Sequence, residues 1–336
     1  MPVAREYRSL EEARRALGSD LRPGDGAALF DRFDWFAALH RHCFADAPVS
    51  IIHASEGGAA AWLFLVEGAA RRASALANWY SFRWAPVVTG APDATTRAAL
   101  LEAAATALLR ERAQVDFYPM EADGAWLAAL RHAGWFAVAR PMGGRHMLDV
   151  AGRSFAEYWA GRPGQLRSLV KRKGRGDPFA LSVHGELTDA LWADYVDVHA
   201  RSWKEAEPEG GLPFLREIAS REAEAGRLRL GFARAGGLAV AAQLWTIDGT
   251  RALIHKLNHD RAFDAQSPGT LLSHAMFARA IDGDRVETID YGTGDNPYKI
   301  DWMERRVALH RIDAFNPRHA SAWLPAARAA ISALVG

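Results

Sequence analysis

The stretch from Ala252 to Met303 constrains the fold most, because it reads as strand, loop, helix, strand, loop, helix. Ala252-Leu253-Ile254-His255-Lys256-Leu257 suits a strand, and a polar loop follows. Gln266-Ser267-Pro268-Gly269-Thr270-Leu271-Leu272 then opens a helix. Ser267 is an N-cap type, and Pro268 at the first helical position gives up an N–H that would be unpaired anyway. Gly269 carries no Cβ where a ligand's phosphates can approach the first-turn N–H groups. Leu271, Leu272, Ala275, Ala278 and Ile281 recur at helical spacing toward a core, and the helix is expected to stop near Gly283. A second strand, Val286 to Tyr291, runs into Asp290-Tyr291-Gly292-Thr293-Gly294. Asp295 or Asn296 caps the next helix, with Pro297 inside it and Tyr298-Lys299 in its first turn. Strands joined through a helix pair parallel, and ligands bind beyond the carboxyl ends of such strands. Neither the P-loop nor the dinucleotide-binding glycine signature is present.

The chain has 336 residues, long for one domain and comfortable for two. About half of them are hydrophobic and a quarter charged, a globular composition. A net charge of +1 excludes a globally basic nucleic-acid binder and leaves local patches open. Cys43 is the single cysteine, so no internal disulfide can form. Its neighbour His40 stands three residues away, but no second ligand pair at zinc spacing accompanies them, so no metal is expected. No run approaches the ~18 apolar residues of a membrane span, and a cytoplasmic location is expected. Lys171, Lys173, Lys204, Lys256 and Lys299 are the only lysines, and two of the five fall inside the organising stretch.

That stretch resembles the GNAT acyltransferase superfamily. The resemblance rests on Lys256 to Asp260, Ser267-Pro268-Gly269 with Leu272, Asp290-Tyr291-Gly292 with Gly294, and Tyr298-Lys299 followed by Trp302. The nearer likeness is to the CelD-like and Fem-type branch, whose members carry two GNAT-like domains in tandem. It implies an α/β chain of mixed, largely antiparallel sheets flanked by helices. Gln266-x-x-Gly269 is similar to the pyrophosphate-binding loop of acyl-CoA enzymes, although Leu271 stands where a second small residue is usual. Ser202-Trp203-Lys204 matches a segment of the same branch. The expected division is a degenerate N-terminal GNAT-like domain over 1–150, a basic linking helix over 151–178, and an acyl-CoA-binding domain over 179–336.

The remainder of the chain supplies the pattern. A short strand, a helix from Leu10 to Leu17 and a loop with Pro23-Gly24-Asp25-Gly26 precede a helix from Trp35 that Asp34 can cap. Strands at Val49–Ala54 and Ala60–Val66 flank a hairpin turn at Ser55-Glu56-Gly57-Gly58. Asn78 to Trp84 holds four aromatics in seven residues, either core or, at Tyr80 and Trp84, part of a substrate cleft. A strand is expected over Met147–Val150. The first half repeats the strand-and-helix order of residues 180–303 but has no equivalent of Ser267-Pro268-Gly269. Ser154 caps a helix with Phe155, Tyr158 and Trp159, and residues 162–175 carry six basic side chains and no acid. Those bases form either a solvated face or a site for an anionic partner such as tRNA.

Acyl transfer from a thioester to an amine needs an anchored donor, an oxyanion partner and a proton for the leaving thiolate. Gln266, Ser267, Pro268, Gly269, Thr270 and Leu271 are the donor-binding candidates, with acetyl-CoA or another acyl-CoA as co-substrate. The resemblance places backbone N–H groups of the Ala252 strand at the oxyanion and Tyr298 at the thiolate. Asp290 is the candidate base, or else a holder of the substrate amine or a partner of Lys256. Strict alternation puts Lys256 on one face with Ala252 and Ile254, where a buried ammonium needs a counter-charge. His255 and His259 lie about 13 Å apart on a continuous strand, too far for one ion. Trp203, Lys204, His255, Asp260 and Lys299 complete the substrate-side candidates. The resemblance implies an acceptor amine on a sugar or cell-surface polysaccharide precursor. The alternatives are aminoacyl transfer from charged tRNA and a catalytically degenerate, nucleotide- or acyl-CoA-binding regulator.

Overall fold

The structure, a computed structural model, describes residues 1–17, 21, 27–121 and 124–335, with side chains through residue 332. The loop expected at residues 23–26 lies outside the described residues. The chain forms two compact units, one of Met1–Gly144 with Ala308–Gly336 and one of Arg145–Val307. The sequence-based division put its boundaries after residues 150 and 178, and put the C-terminal segment with the donor-binding half.

In chain order the first unit contains β1 (Val3–Tyr7), α1 (Leu10–Leu17), α2 (Phe33–Cys43), β2 (Val49–Glu56), β3 (Ala59–Gly68), β4 (Arg72–Ala75), β5 (Val87–Thr89), α3 (Ala94–Leu108), β6 (Gln114–Glu121) and α4 (Gly124–His132). The chain leaves it along β7 (Phe136–Asp149), whose last residues belong to the second unit. That unit continues with α5 (Phe155–Ala160), α6 (Gly164–Lys173), β8 (Ala180–His184), α7 (Asp189–Ala200), α8 (Gly211–Glu224), β9 (Leu228–Ala235), β10 (Leu238–Asp248), β11 (Arg251–His259), α9 (Pro268–Ala278), β12 (Thr288–Thr293) and α10 (Pro297–Trp302). The chain returns along β13 (Arg305–Phe315) to α11 (Trp323–Val335).

In the first unit β1, β2, β3, β4, β6 and β13 are successive neighbours, all antiparallel except the β4–β6 pair. Gly57 and Gly58, at φ +58° and +85°, turn β2 into β3 with the left-handed backbone that such a hairpin demands. The aromatic run from Asn78 resolves into core. Tyr80 and Trp84 are 4% and 2% exposed, and Trp84 stacks on Phe117 with centroids 5.2 Å apart. Asp34 lies inside α2, whose N-cap is Arg32 without a side-chain cap bond.

In the second unit the order is β7, β12, β11, β10, β9, β8, with β11 and β12 parallel and the rest antiparallel. Ser154 and Glu157 form a reciprocal capping box on α5, which fixes where that helix begins. Gly236 and Gly237, again left-handed, turn β9 into β10. The core of this unit gathers Trp245, Ala252, Ile254, Leu271, Leu272, Phe277, Ile289 and Tyr291, so α9 is clamped onto β10, β11 and β12. Full burial of each large apolar side chain contributes roughly 1.5–3 kcal/mol, which holds α9 rigidly at the sheet.

Candidate active site

The site is built where β11 and β12 part. They pair over three positions, Arg251 with Thr288, Ala252 with Ile289 and Leu253 with Asp290. Beyond these, β11 runs on against β10 to His259 and β12 runs on to Thr293, unpaired with each other among the described residues. Backbone groups facing such a gap need hydrogen-bond partners.

A β-bulge decides which way the side chains of β11 face. Trp245 pairs with Ile254 but Leu244 pairs with Lys256, so His255 is the extra residue. Ile254 stays in the core under α9, while Lys256 moves to the opposite face with Leu244. Strict alternation had placed Lys256 with Ala252 and Ile254, and the bulge reverses that. Its counter-charge also differs from expectation: Lys256 pairs with Glu207. Asp290, fully buried, instead pairs with Arg145 at 3.1 Å and accepts the Gly292 N–H at 3.0 Å.

His259 falls on the α9 face. A Cβ on Gly269 would stand 3.3 Å from His259 Nδ1, so this glycine allows close helix–strand contact. Pro268 occupies the first helical position as expected. Ser267 takes the N-cap position but its hydroxyl makes no cap hydrogen bond. The reason is its left-handed backbone, φ 56° and ψ 47°, entered from a 3₁₀ turn over Arg261–Gln266, whereas capping side chains work from extended backbone. Among the described residues no side chain bonds the Gly269 or Thr270 N–H, while the Leu271 N–H is used by the Ser267 carbonyl, so the positive end of α9 is open to an anion at those two groups. Gln266 is exposed, Thr270 half-buried and Leu271 buried. Leu166 and Val170 of α6 pack in the core with Leu271, and Gly174 abuts the same leucine. The basic end of α6, Lys171, Arg172 and Lys173, is thereby beside the first turn of α9. Arg162, counted with those bases in the sequence, is buried against Glu304 and the Tyr158 ring.

α10 presents Tyr298 and Lys299 at the end of β12. The Tyr298 ring meets Tyr291 edge-on at 5.8 Å and is 37% exposed; partial desolvation raises its phenol further above an ordinary value already well above neutral pH. Lys299 is 4% exposed; its Nζ donates to the carbonyl of Thr293 at 2.6 Å. Desolvation pulls that ammonium down to about 8 against the opposing pull of Asp290 and Asp295. Lys204, half-buried with its Nζ 5.9 Å from the Trp203 ring centroid, is likewise lowered to about 8 by desolvation and then by Lys256 and Lys299. Trp203 itself is exposed.

Two substrate-side candidates have structural duties. His255 lies 2.9 Å from Thr246 Oγ1, and burial then Lys256 push it down to about 3, so it is neutral. Asp260 caps the 3₁₀ turn through the Ala262 N–H and pairs with Arg201. Tyr80 and Trp84 belong to the core of the first unit. Sequence reasoning missed Glu207, Arg145 and the buried polar trio Tyr195, His199 and Asn258. The acidic run around Glu207, directly after Lys204, was the one available signal. No group of three or more metal-ligating side chains occurs among the described residues, and no helix among them is long and apolar enough to cross a membrane.

Residues 162–300 match the family model for the acetyltransferase (GNAT) domain, a span that contains the parted strands, α9 and Lys299. FemX superposes with a TM-score of 0.60 at 10% identity, covering 94% of this chain and 98% of its own. The chain has the tandem, Fem-like fold of the GNAT superfamily. Two further solved structures agree with that fold. The C-terminal DUF2156 domain of a putative lysylphosphatidylglycerol synthetase from Agrobacterium fabrum gives a TM-score of 0.55 at 16% identity, covering 87% and 90% of the two chains. A tandem GNAT protein from the clavulanic acid biosynthesis pathway gives 0.52 at 13%, covering 93% and 98%. Comparison with curated proteins finds no match. Within the GNAT fold the two units differ at the helix that follows the first parallel strand. α3 of the first unit is capped by the Asp93 carboxylate on the Thr96 N–H, a negative charge where α9 presents none.

Proposed function

We propose that the second unit transfers an acyl group from an acyl-CoA, with acetyl-CoA the simplest donor, to an amine on a sugar or cell-surface polysaccharide precursor. The observation that carries this reading is the parting of β11 and β12 beside the uncapped start of α9. An extended thioester arm lies in the gap, and its pyrophosphate meets the first-turn N–H groups from Gly269 onward. Backbone N–H groups at the edge of β11 stabilise the oxyanion as the tetrahedral intermediate forms. The amine attacks neutral, the carbon–sulfur bond breaks, Tyr298 gives its phenolic proton to the departing thiolate, and the proton released by the acylated nitrogen passes through solvent to restore the phenol. Asp290 is already engaged by Arg145 and Gly292, so in this reading it fixes the end of β12 and does not take the amine's proton.

A second reading, aminoacyl transfer from charged tRNA, is favoured by one observation: the basic end of α6 adjoins the first turn of α9. The likeness to FemX and to a putative lysylphosphatidylglycerol synthetase points the same way. A phenol at Tyr298, against Tyr291 of β12, together with the open start of α9 favours an enzyme over a regulator that only binds a nucleotide or acyl-CoA. A thermal-shift screen with acetyl-CoA, longer acyl-CoAs and charged tRNA separates the three. Stabilisation by an acyl-CoA with turnover supports the first reading, by charged tRNA alone the second, and binding without turnover of any acceptor amine the third.

A further inference from the structure

The face of β11 turned away from α9 gathers positive charge. The bulge at His255 puts Lys256 there, opposite Leu244. Lys204 is carried to the same strand end by a pinned segment: Ser202 bridges Asp260, and the Arg201 carbonyl accepts the Arg261 N–H at 3.2 Å. Lys299 arrives from α10, held by the carbonyl of Thr293. Three of the five lysines of the chain thus converge on the carboxyl ends of β11 and β12. Glu207 is paired with Lys256, and Lys204 has no carboxylate in ion-pair contact among the described residues. Glu207 also attracts Lys204, and Asp290 and Asp295 attract Lys299 but are themselves paired with Arg145 and Arg306. Positive charge held out of water thus still exceeds its counter-charge, which is costly until an anion arrives.

Polar groups beneath the lysines are also poised. Asn258, fully buried, leaves both side-chain amide atoms without a hydrogen bond of good geometry. The buried Tyr195 hydroxyl lies next to it, and the two side chains interact with each other. The donor's phosphates have their own place on the opposite face of β11, where Gly269 packs on His259.

Building on the acyltransferase reading, we propose that Lys204, Lys256 and Lys299 form an anion subsite for the acceptor, so that the amine receiving the acyl group belongs to a molecule that also carries a carboxylate or a phosphate. Glu207 holds Lys256 in place until that anion binds, and Asn258 with Tyr195 offers hydrogen bonds to its polar neighbours.

The test is calorimetry with three amino-sugar probes: glucosamine 6-phosphate, muramic acid, and glucosamine, which carries no anionic group. At least one anionic probe is expected to bind tenfold or more tightly than glucosamine, and which one does so distinguishes phosphate from carboxylate. Lys204→Met should weaken that probe at least tenfold, Lys204→Arg should restore most of it, and acetyl-CoA affinity should stay unchanged in both. Gly269→Glu should leave the anionic probe bound, since the donor cradle is separate. Equal affinity for all three probes overturns the proposal. So does loss of the anionic probe in Gly269→Glu, which would assign it to the phosphate cradle of α9. If acetyl-CoA does not bind the parent protein while the lysine-dependent probe does, the donor reading fails and the subsite stands.

Discussion

Replacing Asp290 by asparagine separates a structural carboxylate from a catalytic base. Asp290 and Arg145 are 0% and 3% exposed, and their charges meet at 3.1 Å. Asparagine keeps an oxygen for the Gly292 N–H, so the substitution removes chiefly the counter-charge. Breaking a buried pair by removing one partner costs about 3–5 kcal/mol. The second unit runs from Arg145 to Val307 and has 163 residues. For that size each kcal/mol lowers Tm by roughly 2–4 °C, so a fall of about 6–20 °C is expected. The assay is urea and thermal unfolding followed by tryptophan fluorescence, with Arg145→Met/Asp290→Leu as the companion variant. An apolar pair of similar volume should recover most of the loss, since buried pairs are often replaceable without cost. If the Asp290→Asn variant unfolds within about 1 kcal/mol of the parent yet loses acyl transfer a hundredfold, Asp290 is the base and the structural assignment is wrong.

Tyr298→Phe keeps the edge-on ring contact with Tyr291 and removes only the hydroxyl. Stability should be unchanged while kcat falls roughly 10²-fold or more at constant donor affinity; turnover within about twofold of the parent would make it a packing residue. Lys204 and Lys299 have folded pKa values of about 8 against 10.5 for a free lysine. Below pH 8 both states are protonated and the folded state bears the full cost. Between 8 and 10.5 the unfolded chain binds more protons, so stability rises with pH through that window. Lys204→Met/Lys299→Met should be flatter than the parent across a pH series of melts, and an identical slope refutes the depressed values. Charged tRNA should bind only weakly; a sub-micromolar Kd that falls steeply with salt and depends on Lys171, Arg172 and Lys173 would favour aminoacyl transfer.

What the sequence made legible was local chemistry. Pro268 at a first helical position, the Ser154–Glu157 capping box, and the paired glycines at 57–58 and 236–237 act through their own backbone and neighbours. The strand–helix–parallel strand order of the donor half followed from such signals. What stayed hidden depends on partners distant in the chain. The bulge at His255 exists only in the register between β10 and β11, so alternation along one strand could not show where Lys256 points. Arg145 meets Asp290 across β7 and β12, and Glu207 reaches Lys256 from a loop after α7. β7 begins at Phe136, well before the expected Met147; Pro141 and Gly143-Gly144 interrupt the strand pattern in the sequence and conceal its first part. Burial likewise decided Tyr80 and Trp84, since an aromatic run looks alike in a cleft and in a core.

In the proposed reading acyl-CoA binds at the open start of α9. Calorimetry of acetyl-CoA with the parent, Gly269→Ala and Gly269→Glu tests it. Alanine adds only a Cβ, 3.3 Å from a histidine that must shift slightly, and serves as the folded control. A glutamate grows from a Cβ that faces His259; were its carboxylate about 5 Å from a bound pyrophosphate, at an effective dielectric near 20, it would oppose each unit of charge by roughly 3 kcal/mol, which is about a hundredfold in Kd. The account predicts saturable binding to the parent, a modest change in Gly269→Ala, and at least a hundredfold loss in a folded Gly269→Glu. Undiminished acetyl-CoA affinity in that folded glutamate variant would contradict it.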